Sequence, residues 1–160
     1  MPTLQSDDEN ADFRPLLDKI GSILERDVDI DLRLKEICNL LRENIEHYDW
    51  VGFYFADAER GELILGPYSG APTEHVKIRF GEGICGQAAD RKHTFIVQDV
   101  SKETNYLSCS PDVRSEIVLP IFKNGEVIGE LDIDSHRISP FTEQDRKFLG
   151  KICGMVSGIL

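Results

Sequence analysis

The stretch from Ser115 to Ser135 constrains this chain most. Glu116 to Phe122 is a nearly continuous apolar run, the pattern of a central strand. Asn124-Gly125 follows, the residue pair that most readily takes the left-handed backbone of a tight hairpin, and Val127 to Ile133 returns as a second strand. Asp132 and Asp134 stand two positions apart on that returning strand, so alternation puts both carboxylates on one face. The third acid, Glu116, depends on the turn. A two-residue turn pairs Lys123 with Glu126, sets Ile117 opposite Asp132 and sends Glu116 to the other face. A bulged three-residue turn shifts the register by one and brings Glu116 opposite Asp134. Alternatively, Glu116 belongs to the loop before the strand. Only the second or third arrangement lets all three acids meet.

The rest of the chain supplies partners for this hairpin. Leu16, Leu17, Ile20, Ile23 and Leu24 recur at helical spacing from Phe13 onward. A second helix is predicted from Asp31 to Glu46, with Leu32, Leu34, Ile37, Cys38, Leu41 and Ile45 inward. Tyr48 to Phe55 is aromatic and β-branched and reads as a strand, with Trp50, Gly52 and Tyr54 on one face and Val51, Phe53 and Phe55 on the other. It is joined through Ala56–Gly61 to a partner strand at Glu62–Pro67. Val76–Phe80 and Thr94–Gln98 are shorter strands flanking a glycine loop, Gly81-Glu82-Gly83, and a short helix over Cys85–Arg91. The glycines there answer a turn requirement; the neighbouring acids exclude a phosphate cradle. Thr142 with Asp145 three residues on predicts a capped closing helix that buries Phe148, Leu149, Ile152, Cys153 and Val156. The expected architecture is α+β: a central antiparallel sheet of about six strands, N- and C-terminal helices packed on one face, and a ligand pocket on the other. Residues 1–12, polar and acidic, are expected to form a flexible arm, and residues 13–160 a single domain.

Composition narrows the function. A net charge of −11 over 160 residues disfavours nucleic acid and anionic membranes as partners. The apolar runs are too short for a membrane span, and the N-terminus, without the basic and apolar regions of a signal peptide, makes the cytoplasm the expected location. The four cysteines, Cys38, Cys85, Cys109 and Cys153, make no metal-binding spacing, and neither do the four histidines, so neither a metal nor a cofactor is expected. Cys38 and Cys153 lie on apolar helix stripes and read as packing thiols. His47, His93 and His136 are expected to face solvent, and His75 to line a pocket mouth. Cys109 lies in a polar loop, Ser101–Asp112, where a reactive thiol and an incidental one are both open readings.

Five segments in order, Trp50-Val51-Gly52-Phe53-Tyr54, Leu63-Ile64-Leu65-Gly66-Pro67, Phe80-Gly81-Glu82-Gly83-Ile84-Cys85-Gly86, Ser115-Glu116-Ile117-Val118-Leu119-Pro120 and Gly129-Glu130-Leu131-Asp132-Ile133-Asp134-Ser135, resemble the GAF domain family, and within it the free methionine-(R)-sulfoxide reductases. The resemblance covers almost the whole chain. It implies that Cys109 attacks the sulfoxide, that Trp50 and Tyr54 wall the substrate pocket, and that Glu116, Asp132 and Asp134 hold the substrate. His75 stands where members of that family commonly carry a resolving cysteine, and Ser110 follows Cys109 where they carry aspartate. Cys85 is then the expected resolving thiol, in a Cys85–Cys109 disulfide that a thioredoxin-like dithiol would reopen.

The implied chemistry needs a thiolate and a proton donor for the departing oxygen. Crowded carboxylates supply the donor and suit the α-ammonium of a free amino acid. They oppose the thiolate unless backbone N–H groups near Ser110 and Asp112 face the sulfur. The reading is therefore thiol-dependent reduction of free methionine sulfoxide, with Cys109, Cys85 and Glu116 in the chemistry and Trp50, Tyr54, Glu116, Asp132, Asp134, His75 and Ser110 around the substrate. Its rivals are a non-catalytic GAF sensor for an amino acid or cyclic nucleotide, and an interaction protein. A homodimer through the N-terminal helix is the expected assembly.

Overall fold

The computed structural model describes residues 2–108 and 110–160, with side chains from residue 13 onward. Four helices, α1 (Pro2–Glu25), α2 (Ile30–Asn44), α3 (Gly83–Arg91) and α4 (Glu143–Ser157), combine with six strands. These are β1 (Trp50–Asp57), β2 (Glu62–Ser69), β3 (Lys77–Arg79), β4 (Phe95–Val97), β5 (Ser115–Lys123) and β6 (Glu126–Ser135). They form one sheet in the order β3-β2-β1-β6-β5-β4, every neighbouring pair antiparallel. The α+β architecture expected from the sequence is the one observed.

Alternation along β1, β5 and β6 separates two cores. Val51, Phe53, Ile117, Leu119, Ile121, Leu131 and Ile133 point to one side, where α1, α2 and α4 cover them with Ile20, Leu34, Ile37, Leu41, Phe148, Leu149 and Ile152. Trp50, Tyr54 and Val118 point to the other, under α3 with Ile84, Cys85, Ala88 and Ala89. Cys38 and Cys153 belong to the helix-side core, as their stripes predict; burial pushes the Cys153 thiol up to about 12.

Several details depart from expectation. Helix α1 begins at Pro2 rather than at Phe13, where the apolar stripe starts; the expected acidic arm coincides with Met1 and with side chains outside the described residues. Leu32 is 63% exposed. It lies two residues from Leu34, about 200° around the helix and off the stripe that Leu34, Ile37, Cys38 and Leu41 make. His47 is not solvent-facing. Its Nε2 lies 3.0 Å from Asp145 Oδ1, on which the buried Tyr48 hydroxyl also donates at 2.6 Å. Burial raises the Asp145 carboxyl, but hydrogen bonds from His47, Tyr48 and the Thr142 amide outweigh it and hold it below the usual range. Thr142 and Asp145 form the predicted capping box at the start of α4.

Candidate active site

The β5–β6 hairpin resolves the position of Glu116. Lys123 pairs with Glu126 across a two-residue turn whose central residues, Asn124 and Gly125, have φ of 53° and 80°. The register then slips once, between Phe122↔Val127 and Ile121↔Gly129, so that Ile128 is the extra residue. Beyond this bulge Glu116 pairs with Asp134 and Val118 with Asp132. The one-residue shift that all three acids require is present, placed inside the hairpin rather than at its turn.

Pairing with β1 completes the floor. Trp50 lies beside Asp134, Gly52 beside Asp132, and Tyr54 beside a fourth acid, Glu130. All four carboxylates are buried: Glu116 at 5% exposure, Glu130 at 0%, Asp132 and Asp134 at 1%. Gly52 makes room for the tryptophan. A Cβ there would meet the Trp50 ring at 2.3 Å, so only glycine lets the indole lie back across its own strand, stack on Tyr68 and donate Nε1–H to the Ala71 carbonyl.

Helix α3 roofs the acids and aims Cys85 at them, with Sγ 3.8 Å from Glu116 Oε2. Burial, then the charges of Asp132, Glu116 and Glu130, push the Cys85 thiol well above its usual range. Burial likewise raises Glu130, Asp132 and Asp134, and the charge of Asp132 adds to the rise at Glu130 and Asp134. Burial and mutual repulsion thus raise the proton affinity of this group, so it can act as an acid, and they favour the neutral form of the Cys85 thiol. Asp132 Oδ1, Asp134 Oδ1 and both oxygens of Glu130 have no partner at hydrogen-bond distance, although the Cys85 thiol is near enough to act on Glu130.

This cluster carries a stability prediction. Burial holds the Glu130 carboxyl well above its usual range in the folded chain, while the unfolded chain gives up this proton above about pH 4, so the cost of burying the carboxyl grows as pH rises beyond that value. Glu130→Gln is expected to stabilise the fold by about 1–2 kcal/mol at pH 8, with the gain vanishing toward pH 4. Urea unfolding across that range measures it; a gain independent of pH, or a loss at pH 8, contradicts it.

The loop from Glu103 to Arg114 closes the mouth. Asn105 pins its start, accepting from the Gly83 amide at 2.8 Å and donating Nδ2–H to the Gly81 carbonyl at 2.7 Å. Leu107 packs over Gly83, where an added Cβ would come within 2.9 Å of it. His75 Nε2 lies 2.9 Å from the Ser108 carbonyl, and the Tyr54 hydroxyl donates to the His75 carbonyl at 3.0 Å. Cys109 itself lies outside the described residues, between Ser108, tied to His75, and Ser110. The Asp112 amide donates to Ser110 Oγ at 3.3 Å and the Val113 amide to the Ser110 carbonyl at 3.2 Å. The Asp112 N–H expected to face a thiolate is thus already engaged.

Two cavities adjoin the acids. A tight one of about 10 Å³ is lined by Tyr54, His75, Cys85, Leu107, Glu116 and Asp132. A roomier one of about 140 Å³ is lined by Trp50, Ser110, Asp134, Arg42 and His136. The expected site residues other than Cys109 are thus divided between two spaces, and the Glu116–Asp134 pair bridges them. Larger grooves occur on the helix side, such as one of about 580 Å³ between α1 and the start of α4, but no cysteine lines it. Sequence reasoning missed Glu130, although Glu130-x-Asp132-x-Asp134 is a period-two pattern that carried the signal.

Residues 28–160 match the family model of the GAF domain, and the chain belongs to that family. Among curated proteins it is 39% identical over 140 residues to GAF domain-containing protein A of Dictyostelium discoideum, covering 88% of this chain and 87% of that one. It is 32% identical to the free methionine-R-sulfoxide reductase of Escherichia coli, covering 96% and 87%. Among solved structures, the free methionine-R-sulfoxide reductase of Neisseria meningitidis in complex with its substrate superposes with a TM-score of 0.86 at 36% identity, covering 91% and 86%. A putative GAF sensor protein from Burkholderia vietnamiensis superposes with the same TM-score of 0.86 at 30% identity, covering 93% of each chain.

Proposed function

We propose that this chain is an oxidoreductase that reduces free L-methionine (R)-S-oxide to L-methionine, with Cys109 as the nucleophile. The observation that carries the proposal is the set of buried carboxylates, Glu116, Glu130, Asp132 and Asp134, on one sheet face between Trp50 and Tyr54, where burial raises Glu130, Asp132 and Asp134 above the usual carboxylate range. An ordinary fold seldom buries four carboxylates together, and oxygens of Glu130, Asp132 and Asp134 are buried without a hydrogen-bond partner. They fit a ligand carrying a cation and an oxygen in need of protons, and a free amino acid sulfoxide has both. Similarity to proteins named as reductases of that compound supports the assignment.

In the proposed step the Cys109 thiolate attacks the sulfoxide sulfur while the acid cluster delivers protons to its oxygen. The S–O bond then breaks and the Cys109–sulfur bond formed in the attack is replaced by a Cys109–oxygen bond, so that methionine leaves as the thioether and Cys109 becomes a sulfenic acid with the net uptake of one proton from the cluster. The sulfoxide sulfur is reduced by two electrons and the Cys109 sulfur is oxidised by two. Trp50, Tyr54 and Ser110 wall the substrate, and His75 holds the loop at Ser108. The Cys85 thiol then condenses with the sulfenic acid, giving a Cys85–Cys109 disulfide and water. Its proton passes to a neighbouring carboxylate and leaves with the hydroxyl. A thioredoxin-like dithiol in the cytoplasm reduces the disulfide. The apolar stripe of α1 is occupied by the core, so a homodimer through this helix would use its other face.

Cys85→Ser is expected to leave a single turnover of about one methionine per chain intact while lowering steady-state cycling with thioredoxin at least tenfold. Rapid quench and a coupled assay measure the two. Unchanged cycling removes Cys85 from the resolving role, and loss of the single turnover places it in the chemical step instead. The second reading, a GAF sensor, draws on the similarity to the putative sensor protein. It requires saturable binding of the sulfoxide with no methionine formed.

A further inference from the structure

We propose that Cys85, Glu116 and Asp132 form a binding site for a thiophilic divalent cation of the zinc class, and that the ion competes with substrate for the acid cluster. Cys85 Sγ and one oxygen each from Glu116 and Asp132 lie within 4.8 Å of one another, all buried. A tetrahedral zinc ion with one thiolate and two carboxylates holds its donors about 3.5 Å apart. The Cys85–Glu116 distance of 3.8 Å is already close to that, and small side-chain rotations supply the remainder. The three donors come from α3, β5 and β6, elements that the sheet and its roof hold rigidly, so no segment has to fold around the ion.

A second observation points to a cation. Asp132 Oδ1 is buried without a hydrogen-bond partner, and Glu130 is 0% exposed with neither oxygen at hydrogen-bond distance from a partner. Buried carboxylates in this state require protons or a positive charge beside them. A divalent ion on the three donors satisfies Asp132 and gives Glu130 a role behind the thiolate, as outer-shell carboxylates commonly have. The tight cavity that the donors line measures about 10 Å³, on the scale of one ion. The thiol selects the class of ion, because magnesium and calcium take oxygen donors and zinc or cobalt(II) accept sulfur. Binding breaks the Cys85 S–H bond, forms the metal–sulfur bond and releases the proton to solvent, so affinity rises with pH.

This inference shares residues with the proposed reductase site but is tested without turnover. Reduced, chelator-treated protein is titrated with cobalt(II) at pH 7.5. The expected result is a near-ultraviolet sulfur-to-cobalt charge-transfer band saturating at one ion per chain and abolished by equimolar zinc. The band should disappear in Cys85→Ser, persist in Cys109→Ser, and require at least about tenfold more cobalt in Glu130→Gln. Absence of the band, its survival in Cys85→Ser, or its loss in Cys109→Ser overturns the site. Cobalt binding without any sulfoxide reduction would sustain the metal site and reject the reductase reading. Reduction that micromolar zinc leaves untouched would reject the competition.

Discussion

Asp132→Asn is expected to lower kcat/KM for free methionine (R)-S-oxide by about 100-fold or more while the chain stays folded. Asp132 is the hub of the acid face. It pairs with Val118 on β5 and with Gly52 on β1, and it lines the tight cavity beside Cys85 and Glu116. Its charge raises Glu130, Asp134 and Cys85. Removing it takes away a partner for the substrate's ammonium and also lowers the proton affinity of both neighbouring acids. A buried charge partner contributes about 2–5 kcal/mol to a ligand that needs it, which sets the expected loss. The fold should gain a little, since a buried carboxyl is replaced by a neutral amide. Thermal unfolding alongside steady-state kinetics separates the two effects. Unimpaired kcat/KM would show that substrate does not use this face.

Gly86→Ala is expected to be strongly destabilising. A Cβ at this position would sit 2.4 Å from the Arg79 carbonyl oxygen and 3.1 Å from the Gly81 amide nitrogen, both backbone atoms that cannot swing aside. The same turn is closed by the Gly81 amide donating to the Gly86 carbonyl at 2.7 Å. Accommodating the methyl requires α3 to lift from β3, carrying Cys85 off the acids. Overpacking of this kind costs about 3 kcal/mol, and the loss should appear in urea unfolding together with a fall in single-turnover rate. A variant as stable and as fast as the parent would mean that α3 is free to shift and does not fix Cys85.

Most of the fold was legible in the sequence because alternation and helical stripes are local signals. Trp50, Gly52 and Tyr54 were separable from Val51 and Phe53 by parity alone, and Thr142 with Asp145 announced the start of α4. What the sequence left open depended on single-residue shifts or on distant contacts. The bulge at Ile128 has no turn-type signature, so the same strands allowed Glu116 on either face. Leu32 looked like a member of the α2 stripe by hydropathy and failed by angle. His47 was assigned to solvent because its partner, Asp145, lies 98 residues away. Glu130 was overlooked beside Asp132 and Asp134, though it shares their parity and is the most enclosed of the acids. The resemblance to sulfoxide reductases directed attention to the sheet face on which four carboxylates are buried.

The central claim is that the Cys109 thiol, aided by the buried acid cluster, reduces the sulfoxide of a free amino acid. It is tested most directly by a thioredoxin-coupled assay of the parent chain and Cys109→Ser with free L-methionine (R)-S-oxide and its N-acetyl derivative. The account predicts turnover of the free compound by the parent, at least about 100-fold lower kcat/KM for the acetylated one, which lacks the ammonium, and no turnover of either by the variant. Turnover persisting in Cys109→Ser, or equal rates on both substrates, would contradict it.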